Sequence, residues 1–380
     1  MRLKLKSNPL VRKLDLILGV TLLFFFSLFK RRKRDLICEF KKILLIRFAA
    51  MGDTVLLIPA IRSIRKRYPK AEIDFFASNI NFDVINLCPY LDHKYRFEFS
   101  KKMGKLNKNL YLIKMLRKNK YDLIIDFEPF VRLTAIISYF VKSNFTIGFN
   151  TKNQYKHLIF DFYVNHSGNK HEIDNFFSLI SLINCNNFDK QLELWTTTES
   201  EKKILDKISS LKDNEKLIII HPSTGGVNHP RQWPEEYFIE LIKFIKGKVK
   251  CSIILIGSKS EKEVSNKIIK HFTSEVYDFT GETDLYETIE LIKRANLFIS
   301  GNTGTMHIAS AFDIPLIALH GPTNPIRFGP LGKNSYVIKS QIHCSPCLNL
   351  GFEYGCDKYP CMKLITPEDV LKFINLNNIL

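Results

Sequence analysis

Residues 43–68, ILLIRFAAMGDTVLLIPAIRSIRKRY, hold the pattern that decides the fold. Ile43 to Arg47 is a short apolar, β-branched run with no alternation. That suits a strand buried on both faces of a parallel sheet. The small loop Phe48 to Gly52 follows. From Asp53 the apolar positions change period: Val55, Leu56, Ile58, Ile61 and Ile64 fall on one side of a helix, which Pro69 closes. Outward from this unit the same alternation recurs. Strands are expected at 72–77, 121–127 and 145–149, with a helix at 131–141. Helices at 170–184 and 199–211 connect to a second series. There, strands at 217–221, 252–256, 276–279, 297–300 and 315–319 alternate with helices at 235–246, 259–271, 284–294 and 305–312. Such alternation implies an α/β fold built as two Rossmann-like domains, each a parallel sheet covered by helices. Ligands in such sheets bind beyond the carboxyl ends of the strands, and the cleft between two such domains is the expected site. The expected division is 1–40, a basic-apolar segment; 41–195, an N-terminal domain; 196–365, a C-terminal domain; and 366–380, a terminal helix.

Composition narrows the class. The chain has 380 residues, 45% hydrophobic and 25% charged, which allows a sizeable core and excludes bulk disorder. The size excludes a disulfide-stapled mini-protein, and the lack of repeated long apolar runs excludes a multi-span membrane protein. The net charge is +18, which raises nucleic acid, an anionic membrane or phosphorylated substrates as partners. No nucleic-acid module is recognisable, so no nucleic-acid partner is expected. Residues 1–40 hold ten Lys/Arg and three Asp/Glu, a net +7, together with the apolar stretch Leu16 to Phe29. Cations flank that stretch, among them the run Lys30-Arg31-Arg32-Lys33-Arg34. Fourteen residues fall short of the ~20 that span a bilayer. No small-x-small cleavage site follows. The preferred reading is an anchor formed by residues 14–34, lying in or dipping into the cytoplasmic leaflet of a membrane. A buried helix and an uncleaved spanning anchor are the alternatives.

Of eight cysteines, four cluster as Cys344-x2-Cys347-x8-Cys356-x4-Cys361. The opening pair suits a structural zinc site; disulfides or free thiols fit the later spacings as well. There is no G-x-x-x-x-G-K-[ST], G-x-G-x-x-G, H-E-x-x-H or G-x-S-x-G. Three loops at strand ends carry chemistry instead. Asp53 opens a helix, either as an N-cap or as a general base. Ser223, Thr224 and Gly225-Gly226, followed by Arg231, read as a phosphate loop with a bidentate cation, or as a plain loop with a solvated arginine. Ser300 to His307 sits at a strand-to-helix junction, where free amides suit an anion.

Residues 43–68, 218–238, 296–332 and 343–370 together resemble glycosyltransferase family 9, the ADP-heptose:lipopolysaccharide heptosyltransferases, from about residue 42 onward. The resemblance implies a GT-B fold, two Rossmann-like domains facing a cleft, behind an N-terminal extension outside the family pattern. It implies an inverting, metal-independent transfer of a heptose or related sugar from an ADP-sugar to a lipopolysaccharide or related anionic glycolipid acceptor, with no catalytic cofactor. Asp53 would be the catalytic base. Ser223, Thr224 and Arg231 would meet the diphosphate, as would Thr303, Gly304, Thr305 and His307, while Asn302 would serve donor-sugar or loop contacts. Glu261 would meet the nucleotide ribose. The family usually has Asp where this chain has Asn302, which leaves another NDP-sugar donor as the alternative. A non-catalytic nucleotide-sugar-binding protein is the other.

Overall fold

In the computed structural model the described residues are 9–30, 35–36, 39–100, 103–209, 211, 215–225, 229–348, 356 and 360–380. The chain divides between Lys190 and Gln191 into two units.

Unit 1 runs α1 (Pro9–Ser27), β1 (Lys42–Ile46), α2 (Met51–Arg67), β2 (Glu72–Ser78), α3 (Phe82–Ile85), β3 (Lys94–Phe97), α4 (Met103–Lys118), β4 (Tyr121–Asp126), α5 (Arg132–Val141), β5 (Ser143–Asn150), β6 (Phe162–Asn165) and α6 (Glu172–Ile180). Its six strands are parallel, in the order β3-β2-β1-β4-β5-β6. β1 is the innermost. Ile43, Leu44, Leu45 and Ile46 are fully buried, as an unalternating apolar strand requires when helices cover both faces. α2 continues through Pro59. Proline removes a backbone donor and disfavours a helix interior; here burial of Val55 to Ile58 and Ala60 to Ile64 outweighs that cost.

Unit 2 runs α7 (Thr198–Ile208), β7 (Lys216–His221), α8 (Glu235–Lys246), β8 (Cys251–Leu255), α9 (Lys262–Ile269), β9 (Val276–Asp278), α10 (Leu285–Lys293), β10 (Leu297–Gly301), α11 (Gly304–Ala309), β11 (Leu316–His320), α12 (Pro325–Phe328), β12 (Ser335–Lys339), α13 (Pro360–Lys363) and α14 (Pro367–Leu376). This sheet is again parallel, ordered β12-β11-β10-β7-β8-β9. Its core joins the strands to Trp233, Phe238 and Leu241 of the α8 region and to Val370 and Ile374 of α14. The terminal helix is therefore part of unit 2.

Both sheets reverse direction of winding beside their first strand: between β1 and β4 in unit 1, and between β7 and β10 in unit 2. At such a switch point two neighbouring loops diverge and leave a crevice at the carboxyl ends of the strands. The loops singled out by sequence follow β1, β7 and β10, which places them at the two switch points. The strand at 94–97 and the helix at 103–118 were not expected. KYRF is short and mostly polar, and lysines interrupt the apolar positions of α4.

Candidate active site

In unit 1, Asp53 lies in the third position of α2, and Ala50 is the N-cap. The Ala50 N–H donates to Asp53 Oδ2 at 3.2 Å. Arg47, the residue after β1, puts Nη2 3.1 Å from the same oxygen. Arg47 is 1% exposed. It donates through Nη1 to the Phe127 carbonyl, and its guanidinium lies 4.9 Å from the Phe176 ring centre. The Asp53 side chain keeps 17% of its surface, so this held carboxylate is still reachable by substrate. The loop beneath it is tied to β4: Ala49 N–H donates to Glu128 Oε2 at 3.0 Å. Lys156, fully buried, pairs with Asp126 Oδ2 at 3.0 Å and donates to Thr134 Oγ1 at 2.9 Å and to the Glu128 carbonyl. Removing one partner of a buried pair leaves an uncompensated charge, at a cost of about 3–5 kcal/mol, so this network fixes the base of the loop that presents Asp53.

In unit 2 the loops after β7 and β10 meet. Gly301 has no room for a side chain: a Cβ there would come within 2.8 Å of Thr224 Cγ2. Ser223, Thr224, Asn302 and His307 are buried. Arg231 crosses to the second loop, where Nη1 donates to the Asn302 carbonyl at 2.9 Å. Arg231 Nε is buried without a hydrogen-bond partner among the described residues. Asn302 itself donates to the Phe328 carbonyl at 3.0 Å. Thr303 caps α11, its hydroxyl 2.8 Å from that of Thr305, which in turn lies 2.7 Å from His221 Nδ1. Gln232 Oε1 accepts from the Thr224 N–H at 3.2 Å. Trp233, 1% exposed, donates to the Ile365 carbonyl and so anchors the loop on the segment before α14.

Glu261 joins this group from the β8 side. Its Oε1 accepts from the Gly225 N–H at 3.1 Å, and Oε2 accepts from the Ser258 N–H and hydroxyl, both at 2.7 Å. His221 Nε2 lies 3.5 Å from Oε2. Burial alone would raise its pKa. His221 and Ser258 outweigh burial and hold the carboxylate well below the usual range. Glu261 therefore braces the loop that holds Ser223 to Gly225, whatever else it meets.

His320 ends β11 and is fully buried, with Nδ1 3.0 Å from the Thr323 hydroxyl. Burial, with Arg231 as a further cation, pushes its pKa down to about 4 from 6.5. Between those values the unfolded chain binds a proton that the folded chain refuses, so stability falls as pH drops from 6.5 toward 4. The expected loss between pH 7 and pH 5 is about 2 kcal/mol. Urea unfolding at the two pH values measures it, and His320→Asn should remove most of the difference.

The four clustered cysteines differ in exposure. Cys344 is exposed, Cys347 and Cys356 are half-buried and Cys361 is buried. Burial first, and then Cys347 and Cys356 nearby, push the Cys361 thiol up to about 11. Among the described residues, three ligating atoms lie within 4.8 Å of one another at Glu72, Asp74 and His93, and not at these thiols. The Glu72 group is already satisfied: Lys42 pairs with Glu72 at 2.9 Å, and Tyr121 donates to Asp74 at 2.6 Å.

Arg47, Glu128, His221 and Gln232 position the loops, and sequence reasoning did not single them out. The one visible signal was a charged or polar residue at or just past the end of an apolar strand: Arg47 after ILLI and His221 after LIII.

A family model for glycosyltransferase family 9 (heptosyltransferase) matches residues 110–356. The lipopolysaccharide core heptosyltransferase OpsX of Haemophilus influenzae is 24% identical over 304 residues, 78% of this chain and 84% of that protein. A glycosyltransferase family 9 structure from Veillonella parvula superposes with a TM-score of 0.76 at 19% identity, covering 90% of this chain and 98% of the other. The E. coli heptosyltransferase WaaC with ADP superposes at 0.66 and 18% identity, covering 88% and 99%. These neighbours share the two-domain GT-B fold with this chain. With the family model spanning more than half of the sequence, the chain belongs to glycosyltransferase family 9, the heptosyltransferases, and is a glycosyltransferase.

Proposed function

We propose that this enzyme transfers a heptose from ADP-heptose to a lipopolysaccharide core or related anionic glycolipid acceptor at the cytoplasmic face of the inner membrane, with inversion at the anomeric carbon. The observation that carries this reading is the unit 2 switch point, where Arg231 reaches across to Asn302 with Nε unpartnered among the described residues, beside Ser223, Thr224 and Thr303 to Thr305. Cations and aligned donors there would stabilise a diphosphate leaving group. The ADP named with the E. coli structure supports adenine as the base. In the reaction an acceptor hydroxyl oxygen attacks the anomeric carbon, the bond from that carbon to the diphosphate oxygen breaks, and ADP departs. Asp53 takes the hydroxyl proton. Arg231 supplies positive charge to the leaving group, so the step as drawn calls for no catalytic metal.

The test offers the enzyme ADP-, UDP- and GDP-linked sugars with a deacylated lipopolysaccharide core acceptor, with and without EDTA. The expected result is acceptor-dependent ADP release from ADP-heptose, unaffected by EDTA, with a product of opposite anomeric configuration by NMR. Turnover with another nucleotide alone would overturn the donor assignment. ADP binding without turnover of any donor would leave a nucleotide-sugar-binding protein.

A further inference from the structure

α1 is a built-in element of unit 1: from Asp15 onward one face is docked and the opposite face is largely apolar and exposed. The docked stripe runs Asp15, Gly19, Leu23, Phe26, at helical spacing. Leu23 is fully buried in a cluster with Ala135, Ile159 and Phe160. Phe26 stacks on Tyr139 with ring centres 4.6 Å apart. A Cβ on Gly19 would meet Arg132 Cδ at 2.9 Å, so glycine lets the helix sit directly on that side chain. Two ion pairs clamp it: Asp15, within the helix, to Arg132 at 2.7 Å, and Lys30, just past its end, to the buried Asp161 at 3.1 Å.

Among the described residues the outward face has no comparable partner. Leu16, Ile17, Leu18, Phe25, Leu28 and Phe29 are each 51–80% exposed. Phe140 of α5 and Tyr155, beside Phe26 and Phe24, extend the apolar surface onto the body of unit 1. Patches of this kind mark a contact surface. We propose that the outward face of α1 lies in the plane of an anionic lipid leaflet, as an interfacial helix rigidly fixed to unit 1. Charge chooses lipid over a second copy of the chain. Residues 1–40 carry a net +7, and their cations flank the apolar stretch on both sides. The carboxylate of Asp15 is turned inward to Arg132. Two such segments would repel one another, whereas anionic headgroups attract them, each nearby Lys or Arg contributing about 1 kcal/mol. No helix among the described residues is long and apolar enough to cross a membrane, and the two ion pairs hold the stretch from Asp15 to Lys30 against protein. This inference does not rest on the sugar-transfer reaction.

The experiment is co-sedimentation of the full chain with vesicles of phosphatidylglycerol and phosphatidylethanolamine, and with phosphatidylcholine alone. Binding is expected to the anionic vesicles only and to weaken with salt. The triple variant Leu18→Ser, Phe25→Ser, Phe29→Ser should keep its melting temperature and its activity on a water-soluble acceptor. It should bind anionic vesicles at least about tenfold more weakly, given the apolar surface removed. Depth is read from Leu18→Trp and Phe25→Trp, corrected for the native tryptophans, with brominated lipids as quenchers. These sites lie about 10 Å apart along the helix axis. Equal depths are expected. Depths differing by the full axial distance would mean a spanning helix and overturn the proposal. Vesicle binding unchanged in the triple variant would overturn it, and so would wild-type dimers that the triple variant abolishes without any vesicle binding.

Discussion

Asp53→Asn is expected to lower heptosyl transfer by about 100- to 10,000-fold, the range over which positioned proton transfer contributes, while ADP affinity stays within about twofold. Asparagine keeps the shape and can still face Arg47 and the Ala50 amide, so α2 and its loop should persist. What it loses is the capacity to accept a proton from the attacking hydroxyl. The structure sharpens this test because Asp53 is not the N-cap of α2. The cap position is occupied by Ala50, so a purely capping role would predict a small stability change, about 0.5–2 kcal/mol, and near-normal turnover. Rates measured at saturating ADP-heptose and acceptor, alongside thermal unfolding of both proteins, separate the two roles. Full activity in Asp53→Asn would remove it as the base.

The second large effect is expected at Arg231. Arg231→Ala should weaken ADP binding by about 10- to 100-fold, since charge-assisted hydrogen bonds contribute about 1.5–3 kcal/mol each. It should lower kcat/KM further, because charge on the diphosphate grows as the bond to the sugar breaks. Arg231→Lys should recover part of the affinity and less of the rate: it restores the charge without the planar fork. Calorimetry with ADP and initial rates with ADP-heptose measure the two effects. Its neighbour Asn302 contributes a carbonyl and a neutral amide, so no carboxylate at that position draws down the cation. An ADP affinity unchanged in Arg231→Ala would place the diphosphate elsewhere.

The fold was legible because its signals are local. Unalternating runs such as ILLI, LIII and LFIS have no stable place except a strand covered on both faces, and α8 began and ended where its apolar period and Pro234 indicated. Where local signals weaken, the reading thinned: β3 forms because Phe97 and Tyr95 pack beside Phe76, a partner about twenty residues away that no short window contains. Asp53, Thr224 and Arg231 were equally visible, as polar residues placed after apolar strands.

What the sequence determined alone is therefore the strand-helix alternation, the two-domain α/β class, the family pattern and the residue types at the switch points. Tertiary structure decided which atoms those residues engage. Asp53 is steered by Arg47, whose own place depends on Phe127 and Phe176, about 80 and 130 positions along the chain. Glu261, expected at the nucleotide ribose, has both carboxylate oxygens tied to Gly225 and Ser258. The four cysteines lie along one stretch of sequence, and packing alone decides that Cys361 is buried while Cys344 is exposed. For α1, composition announced an apolar helix among cations, and only its docking on Arg132 and Phe160 shows which side remains outward. The physical reason is common to all four cases. Secondary structure follows from interactions within a few residues, whereas side-chain partnership and exposure depend on which distant segments the sheet order brings together.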